Sequence, residues 1–355
     1  MKILRNYFLK EFLGQFLLSL AAITLVMVLG NFAKLSDMVV RKGIPLNTVA
    51  KLFLYFIPYL LKYSLPLACL MGMLLASGRL NSDNEITAIK TLGISPLKLL
   101  SVYITLGILI TLLLIIINDR LVPYAHYNSM KIIKSAGKKN ITSFIEPGKF
   151  SQFNNMIIFA QDAKRNKLKK VFIYRTAGGE NSNIIFAERG EFAIEKNILK
   201  IKLEDGFIQN PRMQYRIQYK TQFMDIPLGQ EISRTKRKTC DMSLKELKRE
   251  INALKKQNLN NVIPLEIELH DKISFSFSAL IFIILGFGLG TKIRHRSRGI
   301  NFGLSSLIAL LYYLSYLGAK ALSFKGFLSP ALGMWIPNFI FLAVGLFFTY
   351  KACVY

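Results

Sequence analysis

Cysteine, histidine and tryptophan are scarce in this chain, at three, three and one among 355 residues. Cys69, Cys240 and Cys353 offer no disulfide framework, since two of them fall in or beside apolar runs. His126, His270 and His295 lie far apart and predict no metal cluster. Catalytic signatures are missing too: there is no G-x-x-x-x-G-K-[ST], no H-E-x-x-H, no nucleophile elbow and no carboxylate pair of the kind a hydrolase needs. The run Gly286-Phe287-Gly288-Leu289-Gly290 closes an apolar stretch instead of opening a phosphate loop after a strand, so its glycines predict close helix packing. Acidic residues are few, 21 against 47 Lys and Arg, for a net charge of +26. In a soluble protein that balance would point to nucleic acid. Here the basic residues sit at the edges of apolar runs and in the middle of the chain, which favours a membrane surface or an acidic lipid.

What the chain has in quantity is apolar sequence: 52% hydrophobic residues, only 19% charged, and a mean hydropathy of +0.34. Two apolar blocks, 12–120 and 273–350, flank a polar stretch over 125–268. A span needs about 20 apolar residues, and six segments meet that: 12–34, 54–77, 97–119, 273–291, 301–322 and 331–350. The first follows Lys2, Arg5 and Lys10, but it is too long for a signal-peptide core and is expected to remain as an anchor. Lys292, Arg294, Arg296 and Arg298, together with the basic N-terminus, put those loops in the cytoplasm; Arg41 and Lys42 oppose the rule weakly. The expected organisation is therefore three spans over 1–122, an exported domain over 123–268 and three more spans over 269–355, with both termini cytoplasmic. Pro58 and Pro66 are expected to kink or break the second span, and Lys62 between them reads equally as a functional group or as an ammonium reaching for the outer interface.

The middle segment has period two. Met156–Phe159, Val171–Tyr174 and Asn183–Phe186 are β-rich runs, and Leu199, Ile201 and Leu203 alternate with Lys200, Lys202 and Glu204. Glu195-Lys196-Asn197 predicts a hairpin and Asp205-Gly206 a further turn. Short strands so spaced predict an antiparallel sandwich or jelly-roll-like domain. Residues 243–257 read as a helix with Ser243 and Glu246 as a capping box. Over 125–268 there are 27 Lys and Arg against 15 Asp and Glu, a net of about +12 that favours anionic ligands. Two basic clusters, Lys164 to Lys170 and Arg234 to Lys238, read first as solvated faces.

Between spans two and three, residues 78–98 read as a short helix at about 82–93, with Ser82 as cap, Glu85 returning the bond, Gly93 as the stop and Ser95-Pro96 opening the next helix. Such a helix, tied to two spans, suits either force transmission from a soluble partner or simple connection.

Leu65-Pro66-Leu67, Gly78-Arg79-Leu80, Asn84-Glu85-Ile86-Thr87-Ala88 through Gly93-Ile94-Ser95, Glu268-Leu269-His270, and Pro330 through Trp335-Ile336-Pro337-Asn338 resemble the LptF/LptG (YjgP/YjgQ) permease family of lipopolysaccharide export. Phe144 to Phe150 and Leu203-Glu204-Asp205-Gly206 incline the resemblance towards the F type, while Asp271-Lys272 stands where the family usually has an arginine-rich turn. The resemblance implies an α-helical polytopic inner-membrane protein with a periplasmic β domain, acting as the permease subunit of an ABC transporter. It implies an F/G heterodimer on an LptB-type ATPase dimer, extracting lipopolysaccharide and passing it to LptC-type and LptA-type bridge proteins, with no cofactor and no ATP hydrolysis of its own. A basic rim of Lys34, Arg41, Lys42, Lys62, Lys320 and Lys325 is expected to meet lipid phosphates, spans one and five to line a lateral gate, and Arg79, Ser82, Glu85 and Gly93 to form the ATPase-coupling helix. The competing classes are a non-transporting anchored adaptor and an ion-coupled transporter, the latter calling for ionisable groups at mid-bilayer.

Overall fold

The computed structural model describes residues 2–40, 45–93, 95–139, 148, 150–153, 156–164, 167–175, 183–195, 198–210, 215–227, 239–257, 262–292 and 298–354. Arg41 and Lys42, the stretch 140–147, the 196–197 hairpin tip, Arg165, the 234–238 cluster, Arg294 and Arg296 lie outside the described residues. In chain order the helices are α1 (Lys2–Val40), α2 (Leu46–Ser82), α3 (Glu85–Thr91), α4 (Pro96–Ile116), α5 (Val122–Lys139), α6 (Leu244–Lys256), α7 (Ile263–Gly290), α8 (Arg298–Phe324) and α9 (Pro330–Val354). A π-helical turn, Ile117–Leu121, joins α4 to α5, and a 3₁₀ turn, Thr239–Asp241, precedes α6. Six of the helices are long and apolar enough to cross a bilayer: Ile3–Asn31, Leu46–Ser82, Lys98–Ile133, Ile263–Gly290, Gly299–Phe324 and Pro330–Ala352. The expected class holds, a polytopic helical membrane protein with an inserted antiparallel β domain.

Contacts divide the chain into two units: one of residues 1–33, 53–129 and 237–355, the other of residues 34–52 and 130–236. In the first, α7 is the hub. Beyond Lys272 it is apolar on all sides apart from serines, as a helix surrounded by others must be, and most of its residues are buried. Its approach to α2 is set by small residues. A Cβ on Gly290 would stand 1.9 Å from Ser77 Oγ, and the Ser77 hydroxyl donates to the Gly286 carbonyl at 3.2 Å. The packing role expected of these glycines is what the helices use. α2 runs through Pro58 and Pro66 as a single helix, so the expected break does not occur. α1 buries Phe8, Phe12 and Phe16, one residue per turn, while Leu25, Val26 and Leu29 further along are each at least 60% exposed. Among the described side chains of α1, those fully buried lie between Phe8 and Ser19.

The second unit holds six antiparallel strands, β1 (Phe150–Phe153), β2 (Met156–Lys164), β3 (Lys167–Arg175), β4 (Asn183–Glu195), β5 (Ile198–Asn210) and β6 (Tyr215–Pro227). Their order is sequential, β1-β2-β3-β4-β5-β6, which specifies the jelly-roll-like expectation as a meander among the described residues. The hairpin read from Glu195-Lys196-Asn197 pairs as expected, with Phe192 opposite Ile201 and Ile194 opposite Leu199. One face is an aliphatic core of Ile158, Leu168, Val171, Ile173, Ile185, Ile201 and Leu203. The other carries a ladder of phenylalanines in register, Phe150, Phe159, Phe172, Phe186 and Phe207, with neighbouring ring centroids 4.7–6.2 Å apart. The Arg216 guanidinium caps it at 3.7 Å from the Phe207 ring.

Asp205-Gly206 is not a turn. Both residues lie inside β5, where Asp205 takes a φ of 54° and, in the neighbouring strand but one, Lys170 takes 47°. Bridging lapses at both residues: pairs flank Asp205 at Glu204 and Gly206, and flank Lys170 at Lys169 and Val171. The left-handed residue rotates the strand, so the core face shifts from Leu168 to Val171 in β3, an odd spacing that a regular strand forbids. Gly206 is needed for another reason: a Cβ there would fall 2.0 Å from the Phe186 carbonyl oxygen. That carbonyl accepts the Tyr219 hydroxyl at 2.8 Å, and burial pushes the Tyr219 phenol up to about 12, keeping it a donor.

α6 is capped as read: Ser243 Oγ accepts from the Glu246 amide, and Glu246 accepts from the Ser243 amide at 2.8 Å. Ser243→Ala should cost about 0.5–2 kcal/mol. Gly206→Ala should cost more, about 1–3 kcal/mol, through overpacking. Thermal unfolding of the purified full chain checks both, and an unchanged melt for Gly206→Ala would contradict the strand geometry.

Candidate functional site

Two sets of residues in the first unit carry the functional expectations, one around α3 and one around a cavity between α2, α7 and α8. Around α3 the structure corrects the capping scheme. Ser82 is the last residue of α2, and its hydroxyl donates back to the Gly78 carbonyl at 2.9 Å. Asn84 is the N-cap, in left-handed backbone with no side-chain cap bond. Apolar sequence ends well before α2 does, and a serine inside a helical turn finds its own helix's carbonyl before it can cap the next. The end of α3 is as expected, with Gly93 at a φ of 74°.

Glu85 is thereby released from capping and turned to α1, accepting the Tyr7 hydroxyl at 2.8 Å. Arg79 makes a forked contact with Glu11, 2.9 Å to each oxygen, and a longer one with Asp83 at 3.6 Å. Lys90 donates to the Ala352 carbonyl at 2.7 Å. α3 is thus fastened to both chain ends, one through Tyr7 and the other through Ala352. Ile86 and Ile89 anchor its inner face in the core.

The second set is built on Asp271, whose side chain is 4% exposed. Lys62 of α2 approaches one of its oxygens at 3.2 Å and Lys320 of α8 the other at 2.7 Å, and the Tyr316 hydroxyl also donates to it. A carboxylate removed from water costs several kcal/mol unless it is paired and hydrogen-bonded. Here two cations and a phenol meet that need, from two helices other than its own. Lys62 is therefore not an ammonium stretched to an interface; its Nζ lies 5.3 Å from the Phe275 ring centroid and 5.5 Å from that of Tyr63, a cation–π setting. Lys320 joins the same cluster, whereas Lys325 is exposed at the end of α8. Lys34 belongs to the α1 backbone, with its side chain outside the described residues, as are Arg41 and Lys42.

These groups line a cavity of about 430 Å³. Tyr59, Tyr63, Phe275 and Tyr316 form an aromatic wall with successive centroids 5.1–5.4 Å apart. Three ammoniums, Lys62, Lys272 and Lys320, face two carboxylates, Glu268 and Asp271. Lys272, which stands where a fork of arginine nitrogens was in question, spends its ammonium on two backbone carbonyls, Met242 at 2.6 Å and Asn118 at 3.2 Å. The cavity joins apolar walls to a surplus of positive charge.

Sequence reading missed Asp271, Tyr316, Tyr7 and Glu11 as partners. Asp271 had been placed ahead of the fourth span, but α7 starts at Ile263 and carries it inside. A signal existed: Ile267, Asp271 and Phe275 recur every fourth residue, on one helix face. An ionisable cluster within the helices is the feature an ion-coupled transporter calls for. Here the groups close on one another as ion pairs.

Removing Asp271 leaves two ammoniums without their counter-ion, a change worth about 3–5 kcal/mol. Asp271→Ala should lower the melting temperature of the detergent-purified chain well beyond Lys62→Met, because Lys320 still covers the carboxylate in the latter. Equal melts for the two variants would contradict this arrangement.

Comparison with known proteins gives this architecture a family. The model of the lipopolysaccharide export system permease LptF/LptG family matches residues 6–351. The chain is 21% identical to the lipopolysaccharide export system permease protein LptF of Escherichia coli K12, over 97% of this chain and 93% of that protein. The protein of the same name from Shigella flexneri matches with the same identity and coverage. A multi-pass membrane protein of this layout, matched from end to end, belongs to the lipopolysaccharide export permease LptF/LptG family.

Proposed function

We propose that this chain is the F-type transmembrane subunit of an ABC transporter that lifts lipopolysaccharide out of the inner membrane and hands it to a periplasmic bridge. In this reading α3 lies in the cytoplasm with both termini, the strand domain over 123–268 is periplasmic, and the second F/G subunit, an LptB-type ATPase dimer and LptC-type and LptA-type proteins are its partners. ATP is hydrolysed in the ATPase, and this chain moves the lipid.

The observation that carries the reading is the cavity around Asp271. Lipopolysaccharide is an amphiphile, with phosphates at its headgroup and several acyl chains. A pocket for it requires apolar walls and an excess of cations, the combination that Tyr63, Phe275, Lys62 and Lys320 supply. Asp271 engages both ammoniums. A phosphate brought into the cavity competes with that carboxylate for the same donors, so binding loosens the tie between α2, α7 and α8 as it forms. The exposed apolar residues of α1 beyond Ile23 and of α8, including Leu310, Leu314 and Leu317, fit an opening to lipid or to a second subunit along those two helices. Lys34, Arg41, Lys42 and Lys325 are assigned to the outer rim of that opening.

Losing a charge-assisted hydrogen bond to phosphate is worth about 1.5–3 kcal/mol, or roughly 10–100-fold in affinity. The double variant Lys62→Gln/Lys320→Gln removes two such bonds and should raise by at least that factor the lipopolysaccharide concentration that half-stimulates ATPase activity in the reconstituted complex. An unshifted half-point would reject the cavity as the phosphate site.

For the coupling helix, Glu85→Ala should uncouple or dismantle the complex, whereas Tyr7→Phe deletes the same hydrogen bond and leaves the carboxylate. Copurification with the ATPase separates the two roles. If both variants behave alike, Glu85 serves only to hold α1.

A further inference from the structure

His126, Cys240 and Asp241 are unused by the transport reading, and no spacing in the sequence connects them. His126 sits in the second turn of α5, Cys240 and Asp241 in the 3₁₀ turn that precedes α6. The fold brings them together: His126 Nδ1, Cys240 Sγ and a carboxylate oxygen of Asp241 all lie within 4.8 Å of one another. The scattered histidines of the sequence thus do contribute to a donor cluster.

We propose that these three side chains bind a borderline-soft divalent cation, Zn²⁺ foremost. Imidazole nitrogen, thiol sulfur and carboxylate oxygen are the donor types that zinc accepts. Both Asp241 Oδ1 and Cys240 Sγ converge on the same ring nitrogen, the latter at 4.0 Å. That nitrogen carries at most one proton, whereas a cation between the three engages all of them at once. Zinc bonds of about 2.0–2.3 Å place tetrahedral donors about 3.3–3.8 Å apart, so the cluster closes on the ion with shifts of about an ångström.

Charge and surroundings agree. The Asp241 side chain is 4% exposed, and a thiolate with a carboxylate exactly balances a dication, leaving a neutral centre in a poorly solvated place. Binding forms a Zn–S bond as the thiol proton leaves to solvent, and the imidazole keeps its proton on Nε2. His126, Cys240 and Asn118 all line the cavity described above. Asn118 is 1% exposed, its Nδ2 donates to Ser276, and its Oδ1, buried, has no hydrogen-bond partner. Lys272, which lines the same cavity, already spends its charge on the Met242 and Asn118 carbonyls. Metal here would clasp α5 to the turn ahead of α6, at the point where the chain leaves the helical unit and where it returns.

The test uses the full chain, purified through a tag without histidines, stripped with chelator and titrated with Zn²⁺ or Co²⁺ alone. Expected are one zinc per chain after desalting, a thiolate-to-cobalt absorption band with Co²⁺, and a melting temperature raised by metal. Cys240→Ser should abolish the band, and His126→Gln and Asp241→Asn should lower retained zinc towards background. Absence of bound metal in the folded wild-type chain would overturn the proposal. So would metal retained without a thiolate band, or metal that survives His126→Gln, since either places the ion elsewhere.

Discussion

A carboxylate buried among helices has to be neutralised where it stands, and that requirement organises the helical unit. Asp271 is supplied by α7, its counter-charges by α2 and α8. The cost of leaving any one partner uncompensated makes the three helices mutually dependent, more so than apolar packing between them would. Asp271 presents anionic oxygens to two ammoniums and a phenol, the donor set on which the proposed phosphate site is built.

Rigidity is provided nearby and by different means. α7 packs against α2 through Gly290 and the Ser77 to Gly286 bond. Asn338, in the Trp335-Ile336-Pro337-Asn338 run, accepts the Tyr312 hydroxyl at 2.7 Å and donates to the Ser274 carbonyl at 2.6 Å, tying α9 to both α8 and α7. By contrast the fully buried side chains described in α1 all lie between Phe8 and Ser19, and Leu25, Val26 and Leu29 beyond them are exposed. The same end of the bundle that packs α1 through Phe8 and Phe12 also fastens α3, by way of Tyr7 and Glu85. A displacement of α3 is therefore felt in α1, through Glu85, and in α9, through Lys90.

The spans, the β domain and the α6 capping box were legible because each rests on a local rule: length of apolar run, period-two alternation, a serine three residues before a glutamate. What was not legible is what depends on distant partners. Lys62 read equally as a functional or an interfacial lysine because its partner is 209 positions away. Asp205-Gly206 has the composition of a turn, but a left-handed residue bends a strand as readily as it reverses one, and only the pairing of β5 with β4 decides between them. Ser82 and Glu85 had the spacing of a capping box, yet α2 extends into it. His126 and Asp241 are separated by the whole β domain, and no one-dimensional pattern could join them.

Site-specific photocrosslinking at the mouth of the cavity tests the central claim most directly. A photoreactive residue at Leu317, which lines the cavity beside Lys320, is predicted to capture lipopolysaccharide in membranes of the working transporter, and to lose that product in the Lys62→Gln/Lys320→Gln background. The same probe at Leu346, an exposed position on α9, serves as the reference for random lipid contact. Capture at Leu317 no greater than at Leu346, or capture indifferent to the two lysines, would contradict the account.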